Sequence, residues 1–473
     1  MDSILYWNDV ALEANRVSHT DGSKEQNGPT LSSRALAIVH LAMYDAYAGA
    51  IKDPAKLPPY LLNLPVPAAG ASPDAAVAAA AHATLSKLYP TQKAFFDLKH
   101  AQAGLQGSGL NQGNDFGLLV AQKLLEERKN DPSDSDNGYS SSVAYGAHRQ
   151  DPDNPTQGFS APFYGAGSKG FAITKRHELN IPPQPGSAEY LNALKQVRAK
   201  GIEPERLGTL PSGSNARTAE ETLIGIFWAY DGASGLGTPP RLYNQIVQKI
   251  AIANCNTTAQ NARLFALVNV AMGDAGILAW DQKYIHDLWR PVLGIREHDP
   301  SMGPTGQGKT PFSGDCDPFW LPLGAPKSNS PSQEKNVTPN FPAYPSGHAT
   351  FGAAALHITR LFYNVASKNK EPDNLLNGLS FVSEELNGIN KDNKGTVRPK
   401  HTRAFPSGLW QMILENGRSR VYLGVHWVFD AFAVDGSGNP DFTKNIGGVP
   451  LGLNIAEDIF ASGMKKSPVS PRP

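Results

Sequence analysis

Phe341-Pro-Ala-Tyr-Pro-Ser-Gly-His-Ala-Thr350 is where the chain passes from an extended run into a helix, and the other chemistry-bearing segments are read against it. Pro342 and Pro345 each bias the preceding residue away from helical geometry. Ser346 is placed to cap a helix beginning at Gly347, with Ala349, Phe351, Ala355, Ile358 and Phe362 on its apolar face. A hydroxyl, a glycine amide and the His348 imidazole thus crowd one helix N-terminus, where free N–H groups and the dipole favour an anion. Taken alone, the segment reads as a capped core helix with His348 satisfied internally.

Two further segments change that reading. In Trp280-Asp-Gln-Lys283-Tyr-Ile-His-Asp-Leu-Trp-Arg290-Pro291 the cations are seven apart. On a helix that is about two turns, which places both on one face with Trp280, and Pro291 is expected to end the helix. The plain alternative is a solvated basic face. Ile285, Leu288 and Trp289 argue against it, because cations among apolar residues are costly without a partner. In Ser419-Arg420-Val-Tyr-Leu-Gly-Val-His426-Trp-Val-Phe-Asp430, His426 and Asp430 stand at i and i+4. The carboxylate is then placed to orient one imidazole nitrogen and leave the other free. Alone, such a pair is commonly a surface hydrogen bond. Together the segments offer Lys283, Arg290 and Arg420 as cations, Ser346 and Gly347 as neutral donors, and two histidines. That set suits a tetrahedral oxyanion of two or three charges, gripped by guanidinium forks and approached by an imidazole.

Composition bounds the remainder. The 473 residues carry 43 basic and 43 acidic side chains, so no overall field draws the chain to nucleic acid or an anionic membrane. Cys255 and Cys316 rule out a disulfide framework or a thiolate-rich metal site and leave a single bridge open. No apolar run is expected to span a membrane, and the N-terminus lacks a signal-peptide pattern. A cytoplasmic location is the default expectation, with non-classical secretion left open.

The periodicity is helical. Ser33 is expected to cap a helix reaching Ile51, in which His40 sits in an apolar stripe as a core residue. Further helices are expected after Ser72-Pro73, from Thr91, over Asn114 to Arg128, and behind a Thr218/Glu221 capping box. Others are expected over Arg241 to Ala253, from Thr257 or Thr258 to Trp289, over Phe405 to Tyr422, over Val425 to Val434 and over Ile455 to Gly463. A short amphipathic piece is expected near Leu379 to Leu386, and a frayed Pro/Lys/Ser tail at the end. Residues 130–186 are too long and polar for an idle connection and are expected to wrap the surface or line a site entrance. Asp131, Asp134 and Asp136 within them resemble a calcium loop, but Gly138 is misplaced and no closing Glu follows. Gly303 to Thr310 matches the Walker A spacing, yet no buried strand precedes it, and Pro311 follows instead of a helix. Nucleotide binding is therefore not expected.

Lys-x6-Arg-Pro, Pro-Ser-Gly-His and Ser-Arg-x5-His-x3-Asp, in this order, resemble the signature of the vanadium-dependent haloperoxidases and the related acid and lipid phosphatases. The likeness covers about 220–435 well and the N-terminal half only as helical. It implies an all-α fold of two packed helical bundles with long irregular loops, here residues 1–210 and 211–473, with the site in the second. It implies vanadate as cofactor, with His426 as axial ligand held by Asp430. Lys283, Arg290 and Arg420 would neutralise the equatorial oxygens, and Ser346 and the Gly347 amide would donate to them. His348 would be the acid–base residue for incoming hydrogen peroxide, Lys283 would polarise that peroxide, and Asp231 in Trp228-Ala-Tyr-Asp-Gly232 would partner His348. The reaction implied is oxidation of halide to a hypohalous-acid equivalent that halogenates a small organic acceptor. Phe341, five before the motif serine, is phenylalanine as in the fungal chloroperoxidase type and histidine in the algal bromoperoxidases. With Trp280 as a second aromatic wall, it points to chloride as well as bromide. A homo-oligomer is expected, with neither nucleic-acid nor membrane partner. The alternatives are an acid phosphatase with His426 as nucleophile and His348 as leaving-group acid, and a non-catalytic oxyanion-binding helical protein.

Overall fold

The computed structural model describes residues 2–53, 55–129, 132, 139–306, 313–365 and 371–472. The Asp131/Asp134/Asp136 cluster and the Gln307-to-Thr310 end of the Walker-like match lie outside these residues. Among those described the architecture is helical. The helices are α1 Ser3–Ser18, α2 Gly28–Ile51, α3 Pro73–Leu88, α4 Lys93–Gln102, α5 Leu110–Glu127, α6 Tyr164–Gly167, α7 Ala188–Lys200 and α8 Ala219–Phe227. They continue with α9 Pro239–Ala253, α10 Thr258–His286, α11 Pro291–Arg296, α12 Gly347–Phe362, α13 Gly408–Tyr422, α14 Val428–Ala431 and α15 Gly448–Ser462. One two-residue antiparallel pair, β1 Ser380–Phe381 with β2 Arg403–Ala404, is the sheet content among the described residues.

The core is built around α10, which packs on α2 along one side and on α12 along another. Outside α2 lie α3 and α5; α9, α13 and α15 surround α12. Buried apolar side chains such as Phe265, Val268, Leu278, Phe351 and Ile358 fill these contacts, each contributing about 1.5–3 kcal/mol. By length and composition α10 does suffice to span a bilayer, contrary to the expectation from sequence, but 94% of its most apolar window is buried within the protein. It is a core helix hydrophobic on every side. At Gly448 and Gly452 α15 comes close to α12: a Cβ there would stand 2.5 Å from Ser346 O and from Thr350 O. This close approach braces the N-terminal turn of α12, where the site forms.

Several expected boundaries move. Ser33 does not cap α2; that helix starts at Gly28 with proline in its first turn, and Ser33 Oγ donates back to Thr30 O. A 3-10 turn takes Pro90–Gln92 before α4, and α5 starts at Leu110. The run over Leu379 to Leu386 splits into β1 and a 3-10 turn at Glu384–Leu386. The Thr218/Glu221 and Thr257/Gln260 capping boxes both form. Helix α10 stops at His286, not Trp289, because Asp287 turns left-handed at φ 46°. Pro291 starts α11 instead of ending α10, its missing N–H costing nothing in a first turn. The Val425-to-Val434 run gives only the single turn α14, and α15 begins seven residues before Ile455.

The long polar loop reaches the core: the amides of Phe171, Ala172 and Ile173 donate to the buried Asp274 carboxylate at 2.6, 2.8 and 2.9 Å. The expected frayed tail is tied down. Ser467 N donates to Phe171 O at 2.9 Å, and Arg472 Nε reaches Asp281 Oδ2 at 2.9 Å. Cys255 and Cys316 are unpaired, one exposed and one buried. His40 is a core residue as expected, with Nδ1 2.8 Å from Leu36 O.

Candidate active site

The three motif segments converge at the N-terminus of α12. Ser346 caps it with extended geometry (φ −66°, ψ 122°), its Oγ accepting from Ala349 N at 3.4 Å. The first amides, at Gly347 and His348, have no carbonyl within the helix to bond. Ser346 N donates to Asp430 O at 2.8 Å, which locks α14 onto this turn. Gly347 lies beneath Trp280: a Cβ there would stand 3.2 Å from the indole.

His426 precedes α14 instead of lying on it, so the expected one-turn helical spacing is not the cause of its contact with Asp430. Trp427 is the N-cap and Asp430 sits at the third helical position, where Oδ2 accepts from Trp427 N at 3.0 Å. The same oxygen meets His426 Nδ1 at 2.7 Å. The carboxylate therefore fixes the proton on Nδ1. Nε2 is left as the lone-pair nitrogen, and it accepts from Arg290 Nη1 at 2.9 Å. Burial, followed by Arg290 and Lys283, holds His426 well below the usual imidazole range. Burial lifts Asp430 to about 7, against the pull of Lys283 and Arg290.

The cations are arranged differently from two positions on one helical face. Lys283 sits in the last turn of α10, while Arg290 caps α11 beyond the helix break at Asp287. Lys283 Nζ donates to Pro342 O at 2.9 Å, Ala343 O at 3.1 Å and Pro345 O at 2.5 Å, which fixes the approach to Ser346. Burial, with Arg290 next, lowers its pKa well below the usual lysine range. Arg290 Nε donates to Phe341 O and Nη1 to Val425 O, both at 2.8 Å; Nη2 is buried with no partner. Burial brings Arg290 down to about 9. Arg420 forms a two-pronged pair with Asp231, both contacts 2.8 Å, and its Nε is likewise buried and unpartnered.

Asp231 thus belongs first to Arg420. Its Oδ1 is 3.9 Å from His348 Nε2, which instead meets Ala229 O at 2.7 Å. That bond places the proton on Nε2 and leaves Nδ1 basic. Burial and then Arg420 bring His348 down to about 4. Phe341 and Trp280 form a wall with ring centroids 4.8 Å apart. Lys283 Nζ and the Arg290 guanidinium carbon lie 5.0 and 4.9 Å from the Phe341 centroid.

Sequence reasoning missed the supports. Asn416 Nδ2 and Tyr243 OH donate to His348 O at 2.8 and 3.1 Å. A buried Asn one turn before Arg420 was the available signal.

Fold and site together define a helical-bundle protein with a buried cluster of cations and histidines at a helix N-terminus. Two family models match the chain. The vanadium chloroperoxidase N-terminal domain matches residues 1–158, and the second helical-bundle domain of that family matches 263–440. Vanadium chloroperoxidase from Curvularia inaequalis is 35% identical over an alignment of 582 residues, covering 99% of this chain and 91% of that one. Among solved structures, a bacterial vanadium-dependent iodoperoxidase matches with TM-score 0.62 and 18% identity over 96% of this chain and 95% of its own. A holo-type bacterial vanadium-dependent chloroperoxidase matches with TM-score 0.59 and 16% identity over 93% and 96%. At those identities the structural likeness speaks for the fold. This chain belongs to the vanadium chloroperoxidase family.

Proposed function

We propose that the chain is a vanadate-dependent haloperoxidase that uses hydrogen peroxide to oxidise halide to a hypohalous-acid equivalent. One observation carries the site assignment: two buried guanidinium groups each keep an unpartnered N–H, Arg290 Nη2 and Arg420 Nε, and both charges bear on His426, whose Nε2 meets Arg290 Nη1. Burying a cation costs several kcal/mol unless it is compensated. Among the described residues, the carboxylates that bear on Lys283, Arg290 and Arg420 are Asp231 and Asp430, so a multiply charged oxyanion would complete the cage's charge balance. Vanadate fits this donor set. When bound it supplies Lewis-acid activation of peroxide with vanadium remaining in the +5 state.

The residues divide the work. His426 would hold the vanadium through Nε2, in place of the bond from Arg290 Nη1, aligned by Asp430 through Nδ1. Arg290 and Arg420 neutralise oxygens with their free donors, and Ser346 and the Gly347 amide donate from the helix N-terminus. Lys283 contributes charge and holds the Pro342–Pro345 carbonyls; polarising peroxide would require it to exchange one of these bonds. His348, neutral with Nδ1 basic, accepts a proton from incoming peroxide. Asp231 acts as a positioning residue through Arg420. Phe341 and Trp280 exclude water beside the cations, which favours chloride as well as bromide. The small organic acceptor meets the oxidised halide after this step.

The test is an assay on orthovanadate-loaded protein for bromination and chlorination of a cyclic dione with peroxide, set against phosphoester hydrolysis without vanadate. Halogenation that disappears in His426→Ala supports the reading. Phosphoester turnover alone would replace it with the phosphatase alternative.

A further inference from the structure

The loop at Gly146, Ala147 and His148 is pinned to the chain leading into Arg290. Trp289 N donates to Gly146 O at 2.9 Å, His148 N donates to Asp287 O at 2.8 Å, and Ala147 bridges Leu288. His148 is 1% exposed and lies edge-on to Phe159, with ring centroids 5.7 Å apart. Phe159 continues into an aromatic run with Tyr139 and Tyr284. Neither ring nitrogen of His148 has a hydrogen-bond partner. A neutral imidazole carries one donor and one acceptor, and leaving both unmet in the interior is unfavourable.

The surroundings select the missing partner. The charges bearing most on the ring are Arg290, then Lys283, then Arg149; the last is engaged by Glu297. Asp287 turns its carboxylate to the Tyr139 hydroxyl, 2.8 Å away. Two nearby cations exclude a cationic ligand. One N–H in an aromatic setting is too sparse for an oxyanion, which takes several directed donors, but it suits a small, spherical, weakly hydrated monovalent anion.

We propose that His148 is a halide-holding residue, its ring N–H donating to a halide ion drawn toward Arg290 and Lys283. The inference rests on the haloperoxidase reading and adds a specificity-determining contact from the N-terminal half of the chain. The imidazole does not react; it raises local halide occupancy and sets the position from which halide is oxidised.

Crystals of the full chain loaded with vanadate and soaked in bromide give the direct test. An anomalous bromide peak within hydrogen-bond reach of a His148 ring nitrogen is expected; a water there and no bromide would overturn the proposal. In solution, His148→Phe should raise the KM for bromide at least tenfold, with kcat within about threefold and vanadate affinity unchanged. His148→Gln, which keeps a donor, should recover most of that KM. An unchanged bromide KM in His148→Phe would also overturn it. If wild type brominates nothing, the haloperoxidase reading fails first, and the bromide peak alone then decides whether this is an anion site. Should His148→Phe not fold, the peak and the Gln variant carry the test.

Discussion

Arg420 grips Asp231 with both guanidinium prongs at 2.8 Å, while His348 Nε2 stands 3.9 Å from the same carboxylate and is held by Ala229 O. In the proposed roles, the acid beside the acid–base histidine is thus the counter-ion of a cation that would grip the cofactor. Its influence on His348 is electrostatic and direct, and opposes that of Arg420.

Asp231→Asn leaves Arg420 buried and uncompensated. Losing one partner of a buried ion pair costs about 3–5 kcal/mol, so a lower urea midpoint is expected for the vanadate-free variant. An added oxyanion supplies the missing charge, and vanadate should stabilise this variant more than wild type. Equal midpoints without vanadate would count against the pairing.

Asp430→Asn tests the alignment of His426. The carboxylate fixes the Nδ1–H tautomer through a 2.7 Å contact, and losing such an orienting partner typically costs about 10–100-fold in affinity. Equilibrium dialysis with orthovanadate should show a fall of about that size. Unaltered affinity would mean that Asp430 serves only to cap α14.

His348 titrates near 4 in the vanadate-free protein because burial and then Arg420 disfavour its charged form, with Asp231 opposing. A bound oxyanion adds negative charge, so loading vanadate should move the titration upward. Asp231→Asn removes an opposing charge and should move it further down. Nitrogen-15 NMR of labelled histidines against pH checks both signs; a shift in the other direction on either count contradicts this account.

Phe341→Ala opens the wall over Lys283 and Arg290 to water. The harder oxidation, that of chloride, should suffer more: kcat/KM is expected to fall about tenfold or more for chloride, equivalent to about 1.4 kcal/mol in transition-state binding, and less for bromide. Equal losses for the two halides would remove Phe341 as the halide determinant.

The start of α12 was legible because everything that makes it is local: two prolines, a serine cap and an apolar face. Lys283 and Arg290 were placed together for the wrong reason. Their spacing reads as two helical turns, yet Asp287 breaks the helix and Pro291 opens the next one. Proline fits both the end and the first turn of a helix, so sequence alone does not decide between them. His426 and Asp430 meet although only Val428–Ala431 is helical, because a residue at the third helical position reaches back to the cap. Tyr243 and His148 had no pattern to be read, and Asn416 only its place one turn before Arg420. Asn416 and Tyr243 reach the site through tertiary packing, from another turn of α13 and from α9, and His148 lies in a loop with no period.

The central claim is that His426 Nε2 anchors vanadate within the donors of Arg290, Arg420, Ser346 and Gly347. Its most direct test is a crystal structure of the orthovanadate-soaked protein. The account predicts vanadium within bonding distance of His426 Nε2, with Arg290 Nη2 and Arg420 Nε donating to its oxygens. Vanadium bound elsewhere, or absent with those two nitrogens still unpartnered, would contradict it.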